Sequence, residues 1–287
     1  MEKWQGEKNM TSEIPAQIPS DDDYVLVNLI FQNKLFKSRE ITANSLVITC
    51  LDLISRERIN IDFNENIDSI KINKNHLIKT KSHLENELEL MENIQFAVNS
   101  KQMKKLMPKD QIVLNMFKDI NKSHTFDLKS MYEKLLKKEV AIKFSKYFQD
   151  YVKSVERENK LSEEGYKDII EDGIFTFKGN ELSQEWKDFK SQLKSKETFS
   201  NISEESKDIL DKYLIYGRCF EIEKSVLKNV ENSNLEYESN LYGFLKHNGA
   251  DLLKLIFDKG LSNSKIEKKG DGSIPAGNSK YFVPGFG

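Results

Sequence analysis

The chain has 287 residues, 38% of them apolar and 31% charged, with a formal net charge of −2. That length allows about two ordinary domains, and the balanced charge creates no global field that would draw the protein to nucleic acid or an anionic membrane. Cys50 and Cys219 lie far apart in sequence and predict free thiols in a reducing compartment. No run approaches the roughly 18 consecutive apolar residues of a membrane span, and residues 1–8 lack the apolar stretch of a signal peptide.

In chain order, Ser20 with Asp23 three positions on reads as a capping-box-like helix start. Asp21, Asp22 and Asp23 place negative charge on the first turn, where the helix dipole favours it. Val25, Leu26, Leu29 and Ile30 form the expected buried stripe. Thr42 is the expected N-cap of a second helix over 43–56, in which Val47, Cys50, Leu51 and Ile54 recur at helical spacing. Ile59, Ile61 and Phe63 then alternate with polar residues, and Ile70 and Ile72 alternate after a polar turn over 64–68, which predicts a two-stranded hairpin. Helix, helix and hairpin over 20–80 read as a winged-helix-like unit. On its second helix the outward positions would be Ser45, Thr49, Asp52 and Arg56. This set has no net positive charge, so it argues against phosphate contacts and DNA reading. The end of the hairpin carries Lys71, Lys74, Lys79 and Lys81, which serve either as a basic wing or as a lysine-rich edge that discourages strand pairing.

Residues 81–98 place Leu84, Leu88, Met91 and Ile94 on one stripe and read as a helix. Pro108 fits the first turn of the next, with Ile112, Phe117 and Ile120 inward. A short strand over 124–126, an N-cap at Asp127, a helix carrying Leu128, Met131 and Leu135, and a long amphipathic helix bearing Val140, Phe144, Phe148, Tyr151 and Val155 follow. Ile169, Ile174, Phe175 and Phe177 read as short strands around Asp172 and Gly173, which completes a second winged-helix-like order. Leu182, Trp186, Phe189 and Leu193 mark a helical stripe of core residues, and Ser203 opens a helix bearing Ile209, Leu210, Leu214 and Ile215. Residues 241–257 predict one or two short amphipathic helices, and 263–287, rich in Gly, Ser, Lys and Pro, a flexible tail. Its aromatic end over 281–287 reads as a short docking segment or as a plain terminus.

Motifs for chemistry are missing from the sequence. His76, His83, His124 and His247 form no i, i+4 pair and lie near no cysteine ligand. No strand leads into a glycine-rich phosphate loop, and no serine or cysteine sits in a nucleophile elbow. No cofactor, metal or catalytic residue is therefore expected. The most asymmetric charge lies between 101 and 160, with 15 basic against 8 acidic side chains and a cluster of Lys101, Lys104, Lys105 and Lys109. Together with Lys71 and Lys74 these lysines make a candidate contact surface for an acidic partner or an anionic membrane face. The competing reading is simple solvation of helices.

The segments Glu13-Ile14-Pro15, Val27-Asn28 and Ile48-Thr49-Cys50-Leu51-Asp52-Leu53-Ile54-Ser55-Arg56, followed by Ile59-Asn60-Ile61, resemble the start of the cytosolic region of a prokaryotic predicted membrane protein family, domain of unknown function 2207. Glu185-Trp186-Lys187-Asp188-Phe189-Lys190-Ser191-Gln192-Leu193 and Tyr213-Leu214-Ile215-Tyr216-Gly217 resemble that family's Trp-x-x-Phe-x-x-x-Leu and Tyr-Leu-x-Tyr-Ala helices, with Gly217 in the alanine's place. The resemblance covers about residues 14–230. It implies a cytosolic module with no established catalytic residues, whose relatives carry an extracytoplasmic domain and membrane spans. Here, where a span would follow, residues 242–259 are interrupted by Lys246, His247, Asp251 and Lys254.

The sequence thus predicts an α+β, mostly helical protein with tandem winged-helix-like units and small β-hairpins. Its units are an N-terminal extension (1–19), a winged-helix-like unit (20–80), a helical region with a second such unit (81–230), short helices (231–262) and the tail (263–287). The expected function is a non-enzymatic protein-interaction module in the cytoplasm, peripheral to a membrane, with an unidentified protein partner. A winged-helix DNA-binding regulator is the alternative.

Overall fold

The computed structural model describes residues 16–20, 23–31, 41–64, 67, 81–99, 106–158, 170–171, 174–200, 202, 208–233 and 236–265. These form a mostly helical protein with a small antiparallel sheet.

Helix α1 (Tyr24–Phe31) begins one turn later than the Ser20 capping box predicts, because Asp23 performs the cap: its Oδ1 accepts the Val25 N–H at 2.8 Å. Helix α2 (Ala43–Ser55) starts where Thr42 predicts, with Ser45 Oγ accepting the Thr42 N–H at 3.2 Å. Strand β1 (Ile59–Phe63) follows. Its described partner is not the 70–72 segment, which lies outside the described residues, but β2 (Ile94–Val98), in the register Ile59 to Val98, Ile61 to Phe96 and Phe63 to Ile94. The helix expected over 81–98 therefore stops early, as α3 (Lys81–Glu92). Ile94, Phe96 and Val98 are buried while Gln95 and Ala97 are less so, an alternation of period two that a strand satisfies and a helix does not.

Helix α4 (Pro108–Asn121) begins with Pro108 in its first turn, as expected. Strand β3 (Thr125–Asp127) pairs with β2, placing Phe96 opposite Phe126, so the sheet order is β1-β2-β3. Asp127 caps α5 (Leu128–Leu135): its Oδ1 accepts the Ser130 N–H and its Oδ2 the Ser130 hydroxyl, both at 2.7 Å. Asp127→Ala is expected to lower stability by about 1 kcal/mol, measured as a shift of the urea midpoint. The long helix α6 (Lys138–Glu158) and a separate two-stranded pair, β4 (Ile170–Glu171) and β5 (Ile174–Phe175), complete the expected order. Phe177 is not in a strand. It opens α7 (Phe177–Lys194) behind the N-cap Thr176 and is 81% exposed.

The short α8 (Glu197–Ser200), α9 (Ile209–Cys219), α10 (Glu223–Glu231), α11 (Asn240–Lys246) and α12 (Gly249–Lys265) follow. The Ser203 start expected for the α9 segment lies outside the described residues, as do 266–287. Helix α12 runs past the expected tail boundary at 263 and packs on α6, α5 and α2. The α11–α12 corner is tight: a Cβ on Gly249 would lie 2.2 Å from the Phe244 ring, so only glycine fits without moving that ring.

One connected hydrophobic cluster takes residues from Ala16 to Phe257 and so crosses each boundary expected between 20 and 257. Trp186, Tyr213, Phe189 and Phe199 fill it around α7 and α9. Phe96, Phe117, Phe126, Phe144, Phe244 and Phe257 fill it between the sheet, α4, α6, α11 and α12. No described helix is long and apolar enough to cross a membrane.

Candidate functional site

The polar chemistry of the interior concentrates where four helix termini converge. Asp23 precedes α1, Arg56 follows α2, Lys109 and Asp110 lie in the first turn of α4, and Glu158 ends α6. Asp23 and Asp110 at the N-termini of α1 and α4 and Arg56 at the C-terminus of α2 agree with the helix dipoles, whereas Glu158 at the C-terminus of α6 and Lys109 in the first turn of α4 oppose them and are held by their mutual pairing. Arg56 Nη2 donates to Asp52 at 2.6 Å and to Asp110 at 2.8 Å, bridging α2 to α4. Asp110 also accepts the Met107 N–H at 3.3 Å, and its side chain is fully buried. Lys109 Nζ is paired with Asp23 and, at 3.0 Å, with Glu158. Glu158 in turn accepts the Lys109 N–H at 2.7 Å and the Ser154 hydroxyl at 2.9 Å.

Burial works against the charge on Lys109, but attraction to Asp23 and then to Glu158 outweighs it and holds the ammonium above the ordinary lysine range. Arg56 is raised in the same way by Asp52 and Asp110. Asp52 moves upward, to about 6. Burial is the main cause, opposed by Arg56 and reinforced by the negative charge of Asp110 and Asp23.

Beside this junction, Ser45 and Thr49 of the α2 face expected to point outward are buried, while Asp52 and Arg56 are half-buried. Ser45 and Thr49 are 0% and 2% exposed and pack against α6, where the Tyr151 hydroxyl donates to the Ser45 carbonyl at 2.8 Å and lies 2.8 Å from Thr49 Oγ1. Ten of the 13 residues of α2 are buried, and of the other three Asp52 is taken up by Arg56 and Asn44 by Arg218. The reason is packing: α1, α4, α9, α11 and α12 all lie against this helix.

A second polar knot ties the other side. Arg218 on α9 donates to Asn44 at 2.9 Å, to Asp251 on α12 at 2.7 Å and to Glu223 on α10 at 3.3 Å. Burial raises the Glu223 carboxyl, and Arg218 opposes the shift.

Of the basic contact surface expected from sequence, Lys109 is corrected. It is 6% exposed and serves as an interior counter-ion, because Asp23 and Glu158 both require a cation there. Lys71, Lys74, Lys101, Lys104 and Lys105 lie outside the described residues. The junction itself escaped sequence reading. The Asp52 to Arg56 spacing of four and the acid in the first turn of α4 were its local signals, but Asp23 and Glu158 join it from 86 and 49 positions away from Lys109.

The arrangement pairs charges and holds helices. Both cysteines are buried, and burial pushes each thiol up, away from the reactive thiolate. Among the described residues no three His, Cys, Asp or Glu side chains are grouped to hold a metal ion. No family model, curated protein or solved structure matches this chain.

Proposed function

We propose that the chain is a non-enzymatic protein-interaction module, of the kind implied by its resemblance to the cytosolic region of domain of unknown function 2207, acting in the cytoplasm beside a membrane. The observation that carries this reading is the enclosure of α2. Ser45 and Thr49 are buried against α6, and Asp52 and Arg56 are tied to each other and to Asp110, which leaves that face little surface to lay in a DNA groove. The use of the interior ionisable groups in pairs between helices is in keeping with it, because such pairs tie elements together.

One observation favours the DNA-binding alternative. The order α4, β3, α5, α6 and β4–β5 supports a winged-helix-like reading of the second unit, although β3 pairs with β2 instead of the hairpin. In that reading α6 is the third helix. Its exposed stripe carries Lys143, Lys146, Lys153 and Arg157 against Glu139 and Asp150, and Asp119 and Asp150 lie against Lys143 and Lys153.

Titration with duplex DNA at moderate salt separates the two. The interaction module is expected to bind no tighter than about 10⁻⁴ M, the weak edge of ordinary non-specific binding. Tighter binding with a steep salt slope, reduced by Lys146→Glu and Lys153→Glu, would establish the DNA reading instead. Recovery of the same protein partner by cross-linking in soluble and membrane fractions is the positive expectation for the module.

A further inference from the structure

Among the described residues, the junction of helix termini is unbalanced. Asp23, Asp52, Asp110 and Glu158 bring four carboxylates, Arg56 and Lys109 bring two cations, and each cation is shared between two acids. Fully ionised, these six groups hold an excess of two negative charges in a largely buried space. Asp110 Oδ1 is itself buried and has no hydrogen-bond partner among the described residues. Shared cations and an orphaned carboxylate oxygen mark a network short of positive charge.

We propose that this junction is a proton-operated clamp, in which uptake of one proton by Asp52 tightens the seam between α1, α2 and α4 and its release loosens that seam. Asp52 is the carboxylate placed to exchange the proton. Its side chain keeps 22% exposure to water and accepts from Arg56, whereas Asp110 is fully buried and accepts from Arg56 and Met107, Asp23 accepts from Lys109 and the Val25 N–H, and Glu158 from Lys109 and Ser154. With Asp52 neutral, Arg56 is left to Asp110, and the excess charge falls by one.

Groups from several elements surround the site. Asp23 and Tyr24 face it from α1, Arg56 from α2, Lys109 and Asp110 from α4, Tyr151 and Glu158 from α6, and Cys219 from α9. Of these, Tyr24, Tyr151 and Cys219 are all pushed upward, by burial first, and stay neutral through the working range.

The sign follows from the direction of the shift. The folded-state value of Asp52, about 6, stands above its ordinary 3.8, so between these limits the folded chain keeps a proton that the unfolded chain has lost. The stabilisation is complete below about pH 4 and lost as pH rises through about 6, up to roughly 100-fold in the folding equilibrium. Other carboxylates superimpose their own slopes, so the quantity to read is the difference between two proteins.

Urea unfolding of the full chain from pH 4.5 to 8 is compared with Asp52→Asn, which keeps the shape without the charge. The variant is expected to gain stability over the parent as pH rises from 4.5, by roughly 30-fold across this range, with the gain levelling off above about pH 6. Amide exchange at Val25 and Lys109, corrected for intrinsic rates, should slow in the parent from pH 8 to 5 and not in the variant. A pH-independent difference, or a variant less stable at pH 8, overturns the clamp. Carbon-13 NMR of the aspartate carboxyls in the unaltered protein is a check that needs no variant: one resonance titrating near 6 supports the proposal, and titration of every aspartate below about 5 overturns it.

Discussion

Lys109→Met is expected to lower the stability of the protein by about 3–5 kcal/mol, the cost of leaving buried charge without its partner. The Lys109 side chain is only 7% exposed, and it is the described cation shared by Asp23 and Glu158, which are themselves 21% and 8% exposed. Methionine matches the length of the aliphatic stem, so the change removes charge and little packing. The measurement is the urea midpoint at neutral pH. A lysine on a solvated contact surface would instead give a change within about 0.5 kcal/mol. Adding Asp23→Asn and Glu158→Gln to Lys109→Met should recover a large part of the loss, because all three charges then leave together. If the triple variant is no more stable than the single one, uncompensated charge is not the source of the effect.

The second large effect concerns the C-terminal helix. Phe257→Ala is expected to cost about 3–5 kcal/mol, as for other fully buried aromatic side chains. Phe257 is 0% exposed. Its ring stacks on Phe144 of α6 at 5.7 Å and lies 6.3 Å from Phe117 of α4, which in turn meets Phe96 and Phe126 of the sheet. Truncation therefore opens a cavity among α12, α6 and α4. Close backbone approach reinforces the position, since a Cβ on Gly260 would fall 2.8 Å from the Phe144 ring. Thermal unfolding followed by near-ultraviolet circular dichroism reports the loss. A cost under about 1 kcal/mol would mean that α12 is an appended helix and not part of the core.

Both predictions turn on contacts that join remote parts of the chain. Local signals were readable where one residue or one period decides the outcome. Pro108 and Asp127 start helices as their chemistry requires, α2 begins after Thr42, and the stripe of Leu182, Trp186, Phe189 and Leu193 faces the core along α7, with Trp186 completely buried and Leu182 partly so. The second unit kept its order of helix, strand, helix, long helix and two short strands for the same reason.

Errors arose where two periods compete or a stop signal is missing. In the 81–98 segment a helical stripe of Leu84, Leu88 and Met91 runs into the alternation of Ile94, Phe96 and Val98, and pairing with β1 and β3 decides for the strand. Leu84, placed on the stripe, is 42% exposed. Several helix ends also lack glycine. Glu57, Lys122, Glu221 and Asn248 occupy left-handed conformations just beyond α2, α4, α9 and α11, where glycine would have announced the end.

The candidate site was legible only in fragments. Asp52 was visible as an acid on the polar face of α2, but its place between Arg56 and the charges of Asp110 and Asp23 was not. Lys109 looked like one of four clustered surface lysines, because burial of a charge depends on partners that sequence spacing does not reveal.

By itself, the sequence determined the mixed but mostly helical class, the starts of α2, α4 and α5, the apolar stripe of α7 and the absence of a membrane-spanning helix among the described elements. These follow from interactions within a turn or two of chain, where residue type and spacing suffice. Only the tertiary structure decided that β1 pairs with β2, that α12 belongs to the core, that Ser45 and Thr49 of α2 are covered, and that two cations are shared by four acids. Those outcomes depend on which surfaces exclude water from one another, and burial is a property of the assembled fold rather than of any segment.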